Sequence, residues 1–231
     1  MVNYVRIIVI DKHMFPLPPF YYFEIAALVA AFFVLTKNAS RPLKWFRYFL
    51  LLIILVELFA RYKRKILHEP NVWIYNLSIP LEYLFYAFIF YHSVKDMKIR
   101  KIGFFFLICY PLFVYINLLF IQGMSVFNSH SMLIGSLSMM VLSGLMLYDL
   151  FIRENQVNIV LEPLFWIASG VLLFNAGEFG YYLFSNYLIN DGIDKAATFF
   201  SQLNSKLIFV LYSCIVIGFV CHRITEKYKK G

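Results

Sequence analysis

The chain is a succession of apolar stretches, each about as long as a bilayer is thick, and four of them enclose a lone glutamate: Glu24, Glu57, Glu82 and Glu178. Crossing roughly 30 Å of hydrocarbon takes about 20 helical residues, because a helix satisfies its backbone N–H and C=O groups internally where no water can. An acidic side chain at that depth costs on the order of 2.5–3.5 kcal/mol on the insertion scale. Four of them in one chain are expected to face a common interior and to carry function.

Composition enters only to fix the class. With 61% hydrophobic and 15% charged residues, and a mean hydropathy of +0.72, the chain has too little polar material to cover a soluble globule. Its formal net charge of +8 does not point to nucleic acid, because Lys and Arg gather in short segments between apolar runs, as juxtamembrane charges do. The expected partner is the lipid bilayer, with no nucleic acid. Cys109, Cys214 and Cys221 lie inside apolar runs without the paired spacing of a zinc or redox motif, so they read as small hydrophobes. No metal and no cofactor is expected. Ile7 to Ile10 is too short for a signal-peptide core and no small-residue cleavage site follows, so residues 1–16 are expected to remain as a short extracytoplasmic segment.

Seven stretches meet the length requirement: Leu17 to Thr36, Leu43 to Ala60, Val72 to Val94, Ile102 to Ile121, Met132 to Phe151, Pro163 to Leu188 and Phe199 to His222. The fold class is therefore all-α, a polytopic transmembrane bundle of seven helices over 17–222, followed by a basic tail over 223–231. On alternate sides of such a bundle the Lys and Arg residues divide eight to thirteen. The positive-inside tendency places the N-terminus out and the C-terminus in, although the Arg61 to Lys65 cluster opposes it. A multi-pass protein of the cytoplasmic membrane is expected.

That topology brings the acids into one half of the bilayer. At 1.5 Å rise per residue, Glu57 lies about 5 Å, Glu24 about 10 Å, and Glu82 and Glu178 about 15 Å from the outer ends of their helices. Asn76, Asn117, Asn175 and Lys206 fall at similar depths. Tyr75, Ser78, Glu82 and Tyr86 recur at three- and four-residue steps, and Asn175 shares a face with Glu178, so helices three and six each present a polar stripe. The expected ligand- or proton-binding set is Glu82 and Glu178, assisted by Glu24, Asn76, Asn117, Asn175 and Lys206. Glu57 precedes Arg61 by four residues and reads as a helix-surface ion pair with it. Glu24 has the simpler alternative of bending toward the headgroups. Ala26, Ala27, Ala30, Ala31, Gly135, Ser136, Ser143, Gly144, Gly170, Gly177 and Gly180 read as sites of close helix packing.

A cluster of buried carboxyls suits three tasks: a receptor pocket for a small polar or cationic ligand, a proton- or cation-coupled carrier, or a hard-cation site. A receptor predicts a pocket closed below by an apolar layer of Phe85, Leu172 and Tyr212; a carrier predicts polar lining through to the cytoplasmic face. An intramembrane enzyme ranks third. The five histidines are split between the two sides of the membrane, and no G-x-S-x-G or H-E-x-x-H motif occurs. A Schiff-base role for Lys206 fits poorly, because it lies near a helix end where a lysine snorkels.

Asn76-Leu77-Ser78-Ile79-Pro80-Leu81-Glu82-Tyr83, Pro163-Leu164-Phe165-Trp166 with Asn175 and Glu178, and Asn204 at the head of the seventh helix resemble a group of small seven-helix membrane proteins of Bacteroidota. The resemblance runs over most of the chain and implies the bundle fold without an assigned activity. Some such bundles look like the sensory part of signalling systems. This chain carries no kinase or DNA-binding segment, so the expectation is a sensor or interaction subunit working with a separate signalling or membrane protein.

Overall fold

The computed structural model describes residues 18–153, 158–190 and 198–228. The expected N-terminal segment over 1–16 and the last three residues of the basic tail lie outside these described residues. Among them the chain forms seven α-helices and no strand: α1 Pro19–Phe33, α2 Arg41–Lys65, α3 Val72–Ser93, α4 Met97–Ile116, α5 Ser129–Phe151, α6 Pro163–Asn190 and α7 Thr198–Tyr228. A π-helical turn, Asn117–Ile121, extends α4, and a 3-10 turn, Ile159–Leu161, precedes α6.

Helix ends follow local chemistry and not the edges of the apolar runs. Pro19 and Pro163 open α1 and α6, where a missing N–H costs nothing. Asp96 accepts from the backbone N–H groups of Lys98 (2.7 Å) and Ile99 (3.0 Å), so α4 starts at Met97 and not at Ile102. The basic residues after Ala60 and after His222 are good helix formers, and α2 and α7 continue through them to Lys65 and Tyr228. Gly123 (φ +80°) turns the chain beyond the π-helical turn, a conformation that a side chain rarely adopts.

Four elements are long and apolar enough to cross a membrane: α3, α4 with its π turn, α5, and α7 from Gln202. The protein is thus a helical membrane protein by length and composition. Helix α1 is apolar but has 15 residues, and α2 carries Arg47, Glu57 and Arg61 along its length.

Around the bundle α1, α2, α3, α5, α6 and α7 pack in a ring that closes through the α1–α7 contact, while α4 lies outside against α3 and α5. Accordingly 28% of the apolar window of α4 is buried, against 44% for α3 and for α5. At the end holding the C-termini of α1, α3 and α5, arginines take the helix-end carbonyls. Arg47 donates to Ala31 O (2.9 Å) and to Leu35 O, Arg100 to Val94 O (3.0 Å), and Arg153 to Ser93 O (2.9 Å). Asp149, fully buried, binds Arg153 and accepts from the backbone N–H groups of Lys95 (3.2 Å) and Asp96 (2.9 Å), tying α5 to the α3–α4 turn.

Asp149→Ala strands two backbone donors, each worth about 1–3 kcal/mol, and is expected to lower stability by roughly 2–4 kcal/mol in thermal unfolding of the detergent-solubilised protein. Arg153→Ala is expected to cost less, since Asp149 keeps both backbone partners. The reverse order would mean that the guanidinium, and not the carboxylate, holds this end together.

Candidate functional site

Five helices supply the walls of a cavity of about 110 Å³ that contains all four sequence-marked glutamates. Each helix contributes one face at helical spacing: Glu24 from α1; Ile53 and Glu57 from α2; Tyr75, Ile79, Glu82 and Tyr83 from α3; Phe174 and Glu178 from α6; Asn204, Ile208, Leu211 and Tyr212 from α7. The cavity lies in the half of the bundle that holds the start of α1, because Glu24, Glu82 and Asn204 are each within three turns of the start of their helices.

Tyrosine hydroxyls serve two of the acids and leave two without donors. Glu57 Oε2 accepts from Tyr21 (3.2 Å) and from Tyr75 (3.2 Å), and Glu178 Oε2 accepts from Tyr83 (3.3 Å). Glu24 is 3% exposed, and its Oε2 has no hydrogen-bond partner. Among the described residues no protein donor reaches the Glu82 carboxyl. Asn204 Oδ1 is a third acceptor without a partner. No Lys or Arg lines the cavity. Buried acids in that setting require protons or a bound cation to balance them. No group of three or more His, Cys, Asp or Glu side chains is close enough to hold a metal ion among the described residues.

Toward the far half of the bundle an aromatic layer follows. The Phe46 ring lies 5.0 Å from that of Phe85, 6.3 Å from that of Tyr86 and 5.6 Å from that of Phe219, and Phe49 stacks on Phe85 at 3.7 Å. Phe46 and Phe219 are fully buried. Phe85 belongs to this layer, as expected for a closing residue, whereas Tyr212 lines the cavity itself.

Four further positions named from the sequence stand elsewhere. Asn76 binds the α4–α5 loop: its Nδ2 donates to Met124 O (3.1 Å) and Val126 O (2.8 Å), and its Oδ1 accepts from Asn128 N (2.9 Å). Asn117 donates to Gln122 Oε1 (2.9 Å), to Ser131 Oγ (3.0 Å) and to Asn128, inside the same loop network. Asn76 is spent on backbone groups that a buried turn must satisfy, and Asn117 on side chains of the same loop network, which places both away from the cavity wall. Lys206 is exposed on α7, outside the lining. Asn175 shares the helix of Glu178 but turns its Nδ2 to its own Val171 carbonyl (2.7 Å).

Glu57 is a full member of the lining, and Arg61 sits with its guanidinium carbon 6.0 Å from the Tyr21 ring centroid. Within the expected stripe of α3, Tyr75 and Glu82 face the cavity, Ser78 faces a groove toward α2, and Tyr86 joins the aromatic layer. Sequence reasoning passed over Tyr21 and Tyr83 as donors and Asn204 as an acceptor. Their only sequence signal is spacing: Tyr83 follows Ile79 by four residues, and Asn204 precedes Ile208 by four.

Helix α5 acts on the cavity from behind. A Cβ at Gly135 would stand 2.3 Å from the Tyr83 ring and 2.6 Å from the Tyr110 hydroxyl, so only glycine lets α5 approach the tyrosine that holds Glu178. Gly135→Ala is expected to destabilise by about 1–3 kcal/mol, the range for overpacking. Gly144→Ala on the same helix, where no atom lies within 4 Å, is expected to be close to neutral in the same unfolding assay. Equal effects would dissociate Tyr83 from α5 packing. No family model matches this chain, and no curated protein or solved structure matches it.

Proposed function

We propose that the protein is an integral membrane sensor or interaction subunit, with a seven-helix bundle oriented N-terminus out and C-terminus in. Its ligand is a small polar or cationic molecule that enters the carboxylate cavity from the extracytoplasmic side. The observation that carries this reading is the pair of acids, Glu24 and Glu82, that face the cavity without a protein donor and without a basic residue in the lining. A helix bundle that needed these groups only for packing would supply them with partners.

Spanning by all seven helices is supported by the exposed large apolar side chains on the three that fall short of the length and hydropathy requirement. Tyr22, Val29 and Phe33 on α1, Leu52, Leu55 and Phe59 on α2, and Leu173, Leu183 and Phe184 on α6 point outward. A perimeter of that kind suits acyl chains and not water. The arginines that hold the helix ends at the C-terminal side of α1, α3 and α5 agree with a cytoplasmic location of that end. Of the residues on which the chain resembles Bacteroidota bundles, Glu82, Tyr83, Glu178 and Asn204 line the cavity, while Asn76, Trp166 and Asn175 do not.

A proton- or cation-coupled carrier is the second reading, favoured by the same uncompensated acids. The aromatic layer of Phe46, Phe49, Phe85 and Phe219 below the cavity counts against it, since a carrier needs a polar path to the other face.

Reconstituted into liposomes loaded with a pH-sensitive dye, the protein is expected to give no proton flux above empty liposomes under an imposed pH gradient. Flux that disappears in the Glu82→Gln, Glu178→Gln double variant would replace the sensor by the carrier. For orientation, a fluorescent protein fused after Gly231 is expected to fluoresce and an alkaline phosphatase fused there to be inactive; the opposite pair of results would invert the bundle.

A further inference from the structure

Resting on the reading of the cavity as an extracytoplasmic ligand pocket, we infer that its ligand presents a primary ammonium group, seated on Glu24, Glu82 and Asn204. The cavity's own tyrosines have already sorted its acids. Glu57 and Glu178 receive hydroxyl donors, whereas Glu24 Oε2, Glu82 and Asn204 Oδ1 are acceptors with none, and all three line one space. Glu24 is the decisive member, because a carboxyl oxygen on a side chain 3% exposed has neither water-facing surface nor a protein donor.

What completes such a site must bring positive charge and N–H donors together. A primary ammonium has three donors and no acceptor, which matches three unserved acceptors and asks nothing more of the wall. A metal ion fits less well, since no three acidic or metal-binding side chains approach closely enough to share one among the described residues. A quaternary ammonium brings charge without a donor and would leave the Glu24, Glu82 and Asn204 oxygens without one. About 110 Å³ holds a head group with a short alkyl stem. The stem meets Ile79, Ile208 and Leu211, and the faces of Phe174 and Tyr212 suit a cation by the attraction of an aromatic face for positive charge.

The test uses the full chain in lipid nanodiscs and radiolabelled methylammonium as the probe, with tetramethylammonium as the competitor. Methylammonium is expected to bind saturably at one site per chain, to be displaced by unlabelled methylammonium, and to resist displacement by tetramethylammonium at the same concentrations. Glu24→Gln, which keeps the shape and removes the charge-assisted bond, is expected to weaken binding by at least about tenfold. Asn204→Leu, which removes an acceptor without touching an acid, is expected to weaken it by less. Size-exclusion profile and helical circular dichroism check each variant's fold. If Glu24→Gln misfolds, Asn204→Leu carries the test.

Equal displacement by the two ammonium ions, or unchanged affinity in both variants, would overturn the assignment. A separate measurement follows the pocket itself: in a background with Cys109, Cys214 and Cys221 replaced by alanine, Ile208→Cys is exposed to a small water-soluble thiol reagent from the extracytoplasmic side. Modification without methylammonium binding would leave the pocket standing and remove the ammonium assignment. Absence of both would remove the pocket reading together with its ligand.

Discussion

Charge balance in a space without basic residues is the constraint on which the rest of the arrangement depends. Four carboxyl groups enter one cavity, and the protein answers with three tyrosine hydroxyls, on Tyr21, Tyr75 and Tyr83, and no cationic wall. In a low-dielectric interior every charge acts over a longer reach than in water, and each acceptor without a donor retains its full desolvation cost. The bundle is organised around this deficit. Helices α1, α2, α3, α6 and α7 converge on it, and α5 stands behind Tyr83 through Gly135.

The remaining polar residues of the interior are of a different kind, and the difference explains why they do not join the cavity. Asp149 binds backbone N–H groups of the α3–α4 turn, Asn76 binds backbone groups of the loop between α4 and α5, and Asn117 binds the side chains of Gln122, Asn128 and Ser131 in and beside that loop. A turn that packs against apolar helices exposes peptide groups no helix ladder satisfies, and a buried polar side chain that can pair with them, a carboxylate for N–H groups or an amide for both kinds, is the remedy. These networks hold the two ends of the bundle, apart from the cavity acids.

Between the cavity and the opposite end, the layer of Phe46, Phe49, Phe85, Tyr86 and Phe219 packs ring against ring, edge to face for the most part. Aromatic side chains fill volume with few rotatable bonds, so such a layer packs the bundle interior densely between the cavity and the opposite end.

Much of the fold was legible before any coordinates. Each of the seven expected apolar stretches overlaps one helix, and four of those helices are long and apolar enough to cross a membrane, because hydrocarbon thickness and the backbone's need for internal hydrogen bonds act on composition. Helix ends were less legible: Asp96 as a cap and the basic continuations of α2 and α7 are local events that hydropathy does not register. The depth of the four glutamates also follows from rise per residue, and so does their presence in one half of the bundle. Which way each side chain turns does not. Asn76 and Glu82 lie less than two turns apart on one helix, yet one serves a loop and the other the cavity; Glu57, four residues before Arg61, accepts from the tyrosines of α1 and α3. Those choices rest on what neighbouring helices place opposite each residue, a property of the packed ring that a linear pattern of spacings does not contain.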